Sequence, residues 1–341
     1  MSKKVCILSI DGGGIRGILP GVVLTYIEDK LREKEGVNVR LSDYFDLLAG
    51  TSTGGILTCC YITPDEQNRP KYTTHEAVDI YLKNGGKIFD ISFKQKLRSG
   101  GGLTDEKYSA KELEKALEKY FGDTKLHQLV KPCLITAYDI WKRKTIFFNK
   151  TSALNEIRNY YVKDLTRATS AAPTYFEVSN IKSMQGASNA LIDGGMFANN
   201  PALCAYSEAR TIAFSKYNSE KPDNPIAKDM FIVSVGTGSE GKSFSYEKAK
   251  DWGLIGWIKP LIDILFSASS ETVNYQLKQL FSTIPDSQNY YRLEPSNLNA
   301  SDEMDDASPE NLRALHEAGK KFISENYKTL DEIVDVLIAN K

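Results

Sequence analysis

The chain has 341 residues, 41% hydrophobic and 26% charged, the make-up of a globular protein with ample material for a core. Lys and Arg number 43 against 44 Asp and Glu, so the formal charge of −1 lacks the basic excess of a dedicated nucleic-acid binder. No run approaches the ~20 apolar residues of a membrane-spanning helix, and the length, large for one domain, is read as a single unit with helical additions.

Lys3 and Lys4 lead straight into Val5-Cys-Ile-Leu-Ser-Ile10, too short for a signal-peptide core and followed by no small-residue cleavage site. A cytoplasmic chain is therefore expected, and the run itself reads as a buried strand. It ends on Asp11-Gly-Gly-Gly-Ile-Arg-Gly17, after which Leu19, Val22, Val23, Ile27 and Leu31 fall on one helix face. Gly12, Gly14 and Gly17 satisfy the letter of a dinucleotide-binding G-x-G-x-x-G. Against that stand Asp11 at the mouth of the would-be phosphate site and the extra Gly13. The acid expected to end a second strand is also missing, since Glu33 and Glu35 lie in the charged end of the helix. Three consecutive glycines suit an oxyanion hole, because their N–H groups can converge unobstructed on one developing negative charge. Arg16 either adds positive potential there or makes an ordinary loop salt bridge with Asp11.

Residues 44–49 are expected to form a second strand and residues 56–62 a helix. Between them lies Gly50-Thr-Ser-Thr-Gly54, a G-x-S-x-G. A serine nucleophile projecting from a tight strand-to-helix turn tolerates little but glycine on either side. The plainer alternative is a glycine-rich turn whose Ser52 caps the helix. Thr73 with Glu76, Ser109 with Glu112 and Thr329 with Glu332 have capping-box spacing, and Ser308-Pro309 marks another helix start. Residues 133–140 and 145–148 form an expected strand pair, with further strands at 190–192 and Met230–Val235. Strands alternating with helical patterns point to an α/β protein with a largely parallel sheet. Residues 252–266 are the most apolar stretch, either a buried core helix or an exposed flap, in which Pro260 is expected to interrupt a regular helix. The last hundred residues read as mostly helical.

A nucleophilic serine needs a base. His75 falls in the first turn of a capped helix, His127 in Lys125-Leu-His-Gln-Leu129 and His316 among charged residues, so each reads as a surface or packing residue. Asp193-Gly-Gly195 follows the 190–192 run. A carboxylate at that strand end could approach Ser52, its basicity raised by desolvation, although the tripeptide by itself equally describes a turn. The cysteines Cys6, Cys59, Cys60, Cys133 and Cys204 show no zinc or redox spacing, and no transition-metal site is expected.

Several segments together carry a resemblance. They are Ser9-Ile-Asp-Gly-Gly-Gly-Ile-Arg-Gly-Ile-Leu-Pro20, Asp43-Tyr-Phe-Asp-Leu-Leu-Ala-Gly-Thr-Ser-Thr-Gly-Gly55, Ala168-Thr-Ser-Ala-Ala-Pro-Thr-Tyr-Phe176, Asp193-Gly-Gly195, Ser234-Val-Gly-Thr-Gly238 and Glu303-Met-Asp-Asp-Ala-Ser308. In this order, and over nearly the whole length, the chain resembles the patatin-like lipid acyl hydrolases. The resemblance implies a modified α/β-hydrolase-like fold, a mostly parallel sheet flanked by helices. It also implies one catalytic domain over residues 1–341, its motif-bearing core at about 4–240 and a mostly helical part at about 245–341 packed on it. A Ser–Asp dyad is implied, with Ser52 as nucleophile and Asp193 as general base. The backbone of Gly12, Gly13 and Gly14 would form the oxyanion hole with Arg16 beside it, and Gly50 and Gly54 would flank the elbow.

The implied activity is that of a serine carboxylic-ester hydrolase, of phospholipase A or lysophospholipase type. It would remove acyl chains from phospholipids and galactolipids through an acyl-enzyme, without metal or cofactor. The implied partner is membrane or micellar lipid bound peripherally, with no transmembrane anchor and no nucleic acid. Near-zero charge implies attachment by apolar contact more than by attraction to anionic head groups. Two departures stand out. Tuber-type patatins tend to have Asp-Gly-Ala where this chain has Asp193-Gly-Gly-Met-Phe-Ala-Asn-Asn-Pro201, a pattern other members share. The expected lack of a leader separates the chain from secreted, vacuolar storage forms. Rival readings are a noncatalytic storage or interaction protein and a dinucleotide-binding oxidoreductase.

Overall fold

The computed structural model describes residues 3–88, 108–238, 244–285, 288–296 and 299–341. In chain order the elements are β1 (Val5–Ile10), α1 (Ile18–Glu35), β2 (Leu47–Gly50), α2 (Thr53–Ile62), α3 (Thr74–Ile88), α4 (Lys111–Phe121), β3 (Cys133–Asp139), β4 (Lys144–Asn149) and α5 (Val162–Thr169). There follow β5 (Ser179–Lys182), β6 (Ser188–Asp193), α6 (Gly195–Ala198), α7 (Ala202–Ala209), β7 (Met230–Val235), α8 (Tyr246–Ala249), α9 (Leu254–Ser282), β8 (Tyr290–Leu293) and α10 (Pro309–Ala339).

One mixed sheet runs in the order β5-β6-β3-β2-β1-β7-β8, with β4 added to β3. The central pairings from β3 through β8 are parallel, and β4, β5 and β6 join antiparallel. Why β1 and β7 are apolar at all but Ser9 and Ser234 follows from the pleat. Cys6, Leu8 and Ile10 face one core, with Phe231, Val233 and Val235 beside them, while Val5, Ile7, Met230 and Ile232 face the other. The first core is closed by α1–α5 and α10, the second by α7 and the carboxyl half of α9. The result is a mostly parallel sheet with helices on both faces and a helical carboxyl-terminal region.

Several sequence expectations shift. Residues 44–49 split into a 3-10 turn (Leu41–Tyr44) and the shorter β2. The box at Thr73 forms, Glu76 accepting from the Thr73 N–H at 2.8 Å and Thr73 Oγ1 from the Glu76 N–H at 3.2 Å. Ser109 merely accepts from the Lys111 N–H at 3.4 Å, with α4 beginning after Ala110. Thr329 starts no helix, because it lies inside α10, which continues while Leu330, Ile333, Val334 and Leu337 remain buried. Ser308 does cap α10, accepting from the Asn311 N–H. Pro260 does not break α9. The bond it forfeits falls near the amino end, where one lost N–H is outweighed by the long helix that follows.

Candidate active site

The sheet itself brings the two key segments together. On β3, Ile135 pairs with Gly50 at the end of β2, and Ala137 pairs with Asp193 at the end of β6. Leu134 and Ile135 also pair with β4, as does Ala137, so β2 and β6 must share the opposite edge of β3. Running in opposite directions, they point their carboxyl ends at each other across two residues, about 7 Å of strand. Thr136, between the two registers, meets Thr51 hydroxyl to hydroxyl at 2.7 Å, and Thr51 Oγ1 donates to the Ala198 carbonyl at 2.6 Å.

Ser52 follows at φ 54° and ψ −122°, a left-handed conformation that a non-glycine residue adopts only under constraint, and its side chain is 7% exposed. Its N–H donates to Thr169 Oγ1 at 2.8 Å, and its hydroxyl does not cap α2, which removes the plainer reading of the turn. A Cβ at Gly54 would strike the Ile10 carbonyl oxygen, so glycine is what allows α2 to leave this close to β1.

Asp193 is fully buried. Its Oδ1 accepts from the Gly195 N–H at 2.7 Å, while Oδ2 has no hydrogen-bonded partner among the described residues. Burial raises the carboxyl to about 7, and the nearby Ser52 hydroxyl and Gly195 N–H only partly pull it back. Phe266 of α9 lies over this turn, where a Cβ at Gly195 would meet its ring. All three histidines are placed elsewhere. His75 faces Asp29 at 3.1 Å, His127 meets Asn159 at 2.8 Å and His316 lies 3.5 Å from Glu317.

The glycine loop lies against Ser52, since a Cβ on Gly12 would come 3.3 Å from Ser52 Cβ. Gly12 is not a free donor, because its N–H is taken by the Asn199 carbonyl at 3.1 Å. Gly13 and Gly14 donate to no acceptor among the described residues. The loop is held from behind: the Gly12 carbonyl accepts from Thr237 Oγ1 at 2.8 Å and Asn199 Nδ2 at 3.3 Å.

Asp11 does not pair with Arg16. It receives Arg292 at 2.9 and 2.6 Å and Ser270 Oγ at 3.3 Å, while Arg16 donates to the Gly238 carbonyl at 3.2 Å. Arg292 also holds Ser234 at 2.9 Å and pairs with Glu294, whose carboxylate accepts from the Gly238 N–H. Burial works against the Arg292 charge, but Asp11 and Glu294 more than offset it, so the guanidinium stays protonated. Arg292 escapes motif reading because only the tertiary fold brings it here, and Thr169 and Asn199, though inside quoted segments, show their contacts only in the fold. The available hint is one charge in the apolar run Tyr290-Tyr-Arg-Leu293.

From Ser52 and Asp193 a narrow slot runs between apolar walls. Ile56 of α2, Ile80, Tyr81 and Ile88 of α3, Leu113 and Leu117 of α4, and Phe266 and Met304 line it. The Tyr81 hydroxyl is fixed by Thr53 Oγ1 and the Thr53 carbonyl. Such a slot accepts a hydrocarbon chain and leaves its polar end at Ser52.

Comparison with known proteins finds relatives over most of the chain. A family model described as patatin-like phospholipase matches residues 8–206. Patatin-like protein 2 of Oryza sativa subsp. indica is 33% identical over 96% of this chain and 86% of its own length. Patatin-like protein 1 of Arabidopsis thaliana is 35% identical over 94% of this chain and 81% of its own. A Solanum tuberosum protein named probable inactive patatin-3-Kuras 1 is 33% identical over 97% of this chain and 91% of its own.

Proposed function

The chain belongs to the patatin-like phospholipase family, and we propose that it hydrolyses fatty acyl esters of lipids with Ser52 as nucleophile and Asp193 as general base. One observation carries this reading: a serine strained at φ 54° beside a fully buried, partner-poor carboxylate, both opening on an apolar slot. A relative named probable inactive makes family membership by itself insufficient, and the geometry is what favours a working enzyme over a storage protein.

In the proposed reaction the acyl chain fills the slot and the ester carbonyl lies over Ser52. Asp193 takes the Ser52 hydroxyl proton as Oγ attacks the carbonyl carbon. The N–H groups of Gly13 and Gly14 receive the oxyanion, and Arg292 holds the start of the loop through Asp11. The C–O bond to the alcohol then breaks, protonated Asp193 returns its proton to the leaving oxygen, and Ser52 is left acylated. Water, giving a proton to the same carboxylate, attacks the acyl-enzyme, and Asp193 passes that proton back to Ser52 Oγ as the fatty acid leaves. Residues 1–341 act in this reading as one catalytic unit, of phospholipase A or lysophospholipase type.

The substrate comes from a lipid surface, and α9 supports peripheral attachment. Leu254, Trp257, Ile258, Leu261, Ile264 and Leu265 are all exposed, Leu254 by 90%, and their spacing of three and four puts them along one stripe. Phe266, next on the same helix, turns inward to line the slot, so an interface covering the stripe meets the slot's mouth. No helix among the described residues is long and apolar enough to cross a membrane. Ser52→Ala tests the chemistry, and its expected loss of ester hydrolysis would distinguish an enzyme from a noncatalytic scaffold.

A further inference from the structure

Gly12 spends its N–H on the Asn199 carbonyl, so the demand on the glycine loop falls on Gly13 and Gly14. Where the Gly13 N–H points is set by the peptide it shares with the Gly12 carbonyl. That peptide is trans, so carbonyl and N–H point in opposite directions across one rigid plane. The carbonyl accepts from Thr237 Oγ1 at 2.8 Å and from Asn199 Nδ2 at 3.3 Å. The Gly13 N–H is therefore turned away from both donors, and no acceptor among the described residues takes it.

Because the residues on both sides of this plane are glycines, no side chain of their own resists its rotation. Rotation would swing the N–H off the forming oxyanion and bring a partially negative carbonyl oxygen toward it. Hydrogen bonds to the Gly12 carbonyl oppose that movement, and the Thr237 bond is the shorter of the two. Asn199 Nδ2 also divides itself with Ser270 Oγ at 3.1 Å. Thr237 is 5% exposed, and its backbone is pinned on either side. The Gly236 N–H donates to the Leu293 carbonyl at 2.8 Å, and the Gly238 N–H donates to Glu294 at 2.9 Å. The hydroxyl is thus anchored to β8 and its flank, independently of the loop that it restrains. The two segments touch directly, since a Cβ at Gly13 would strike the Thr237 side chain.

Resting on the acyl hydrolase reading, we propose that Thr237 is a positioning residue whose hydroxyl locks the Gly12–Gly13 peptide with the Gly13 N–H aimed at the oxyanion. It acts through Gly13. The lock matters once negative charge gathers on the carbonyl oxygen, so its loss weakens the transition state more than the bound ester.

The test compares the full chain with Thr237→Val, which keeps the shape and removes the donor, and Thr237→Ser, which keeps the donor. On p-nitrophenyl butyrate, Thr237→Val should lower kcat by about tenfold or more while KM moves by less than about threefold, and Thr237→Ser should restore most of the loss. Two inhibitors separate the lock from general damage to the site. An octyl trifluoromethyl ketone forms a bond from its carbonyl carbon to Ser52 Oγ, the hydroxyl proton passing to Asp193 and the carbonyl oxygen becoming an oxyanion. Octyl methyl ketone fills the same slot without that addition. Thr237→Val should raise Ki for the first by about tenfold and leave Ki for the second unchanged, a ratio that the fraction of folded molecules does not alter. Unchanged kcat in Thr237→Val, equal weakening of both ketones, or failure of Thr237→Ser to recover activity would overturn the proposal. If the parent protein fails on p-nitrophenyl butyrate, the acyl hydrolase reading falls, and the lock falls with it.

Discussion

Asp193 ties the pH behaviour of the proposed reaction to burial. Only its carboxylate form can accept the Ser52 proton, and burial places the transition at about 7. Turnover of a soluble ester should therefore rise with pH through an apparent pKa near that value and level off above it. A flat kcat/KM profile from about pH 5 to 9 would contradict the assignment. The same burial has a stability consequence. The folded carboxyl titrates near 7 and the unfolded one near the ordinary aspartate value of 3.8, so between these values the folded chain holds the extra proton. Its contribution is full below the unfolded value and lost as pH rises through the folded one. Asp193→Asn should accordingly be more stable than the parent at about pH 8, by up to on the order of 4 kcal/mol at about 1.4 kcal/mol per pH unit. Urea unfolding should show that gap closing toward about pH 4, and equal stability at the higher pH would count against a buried carboxylate. Ser52, Asp193 and the glycine loop are legible in sequence because each is a local pattern whose residues touch within a few positions. That Gly12 spends its N–H on Asn199 is not legible, since the acceptor lies on a distant segment.

Among the elements, β3 does the organising. Its shared edge sets β2 and β6 end to end, and the elbow and the acid follow from where those strands stop. Behind the glycine loop, β8 contributes Arg292, which joins Asp11, Ser234 and Glu294 into one buried network. Breaking a buried ion pair from one side leaves an uncompensated charge, so Arg292→Gln should destabilise the protein by about 3–5 kcal/mol. Adding Asp11→Asn should recover part of that loss. A change under about 1 kcal/mol for Arg292→Gln in urea unfolding would mean that the network does not anchor the loop. β1 and β7 can be read directly from the sequence because both their faces are buried and each run is apolar but for one serine, Ser9 or Ser234. β5 and β8, four residues each, offer too little pattern to separate from loops. Thr329 and Glu332 show the converse, a local start signal overruled by the packing of α10 on α1 and the core.

At the scale of the whole molecule, a formal charge of −1 leaves little long-range attraction toward an anionic surface, and in the proposed reading the exposed stripe on α9 supplies the local apolar contact. Periodicity by itself could not choose between a buried helix and a flap, and α9 is both: Ile262 and Phe266 are buried while Trp257 and Ile258 are exposed. Trp257→Asp with Ile258→Asp should abolish co-sedimentation with phosphatidylcholine vesicles while leaving the circular dichroism of the fold intact. Unchanged sedimentation of that folded variant would dispose of the docking face. The central claim concerns one serine and is tested most directly by covalent labelling of the intact chain. A fluorophosphonate should add once per molecule, at Ser52, as read by intact mass and peptide mapping. Ser52→Ala should lose both the adduct and at least about a thousandfold in p-nitrophenyl ester turnover. Labelling at another residue, or hydrolysis retained by Ser52→Ala, would contradict the account.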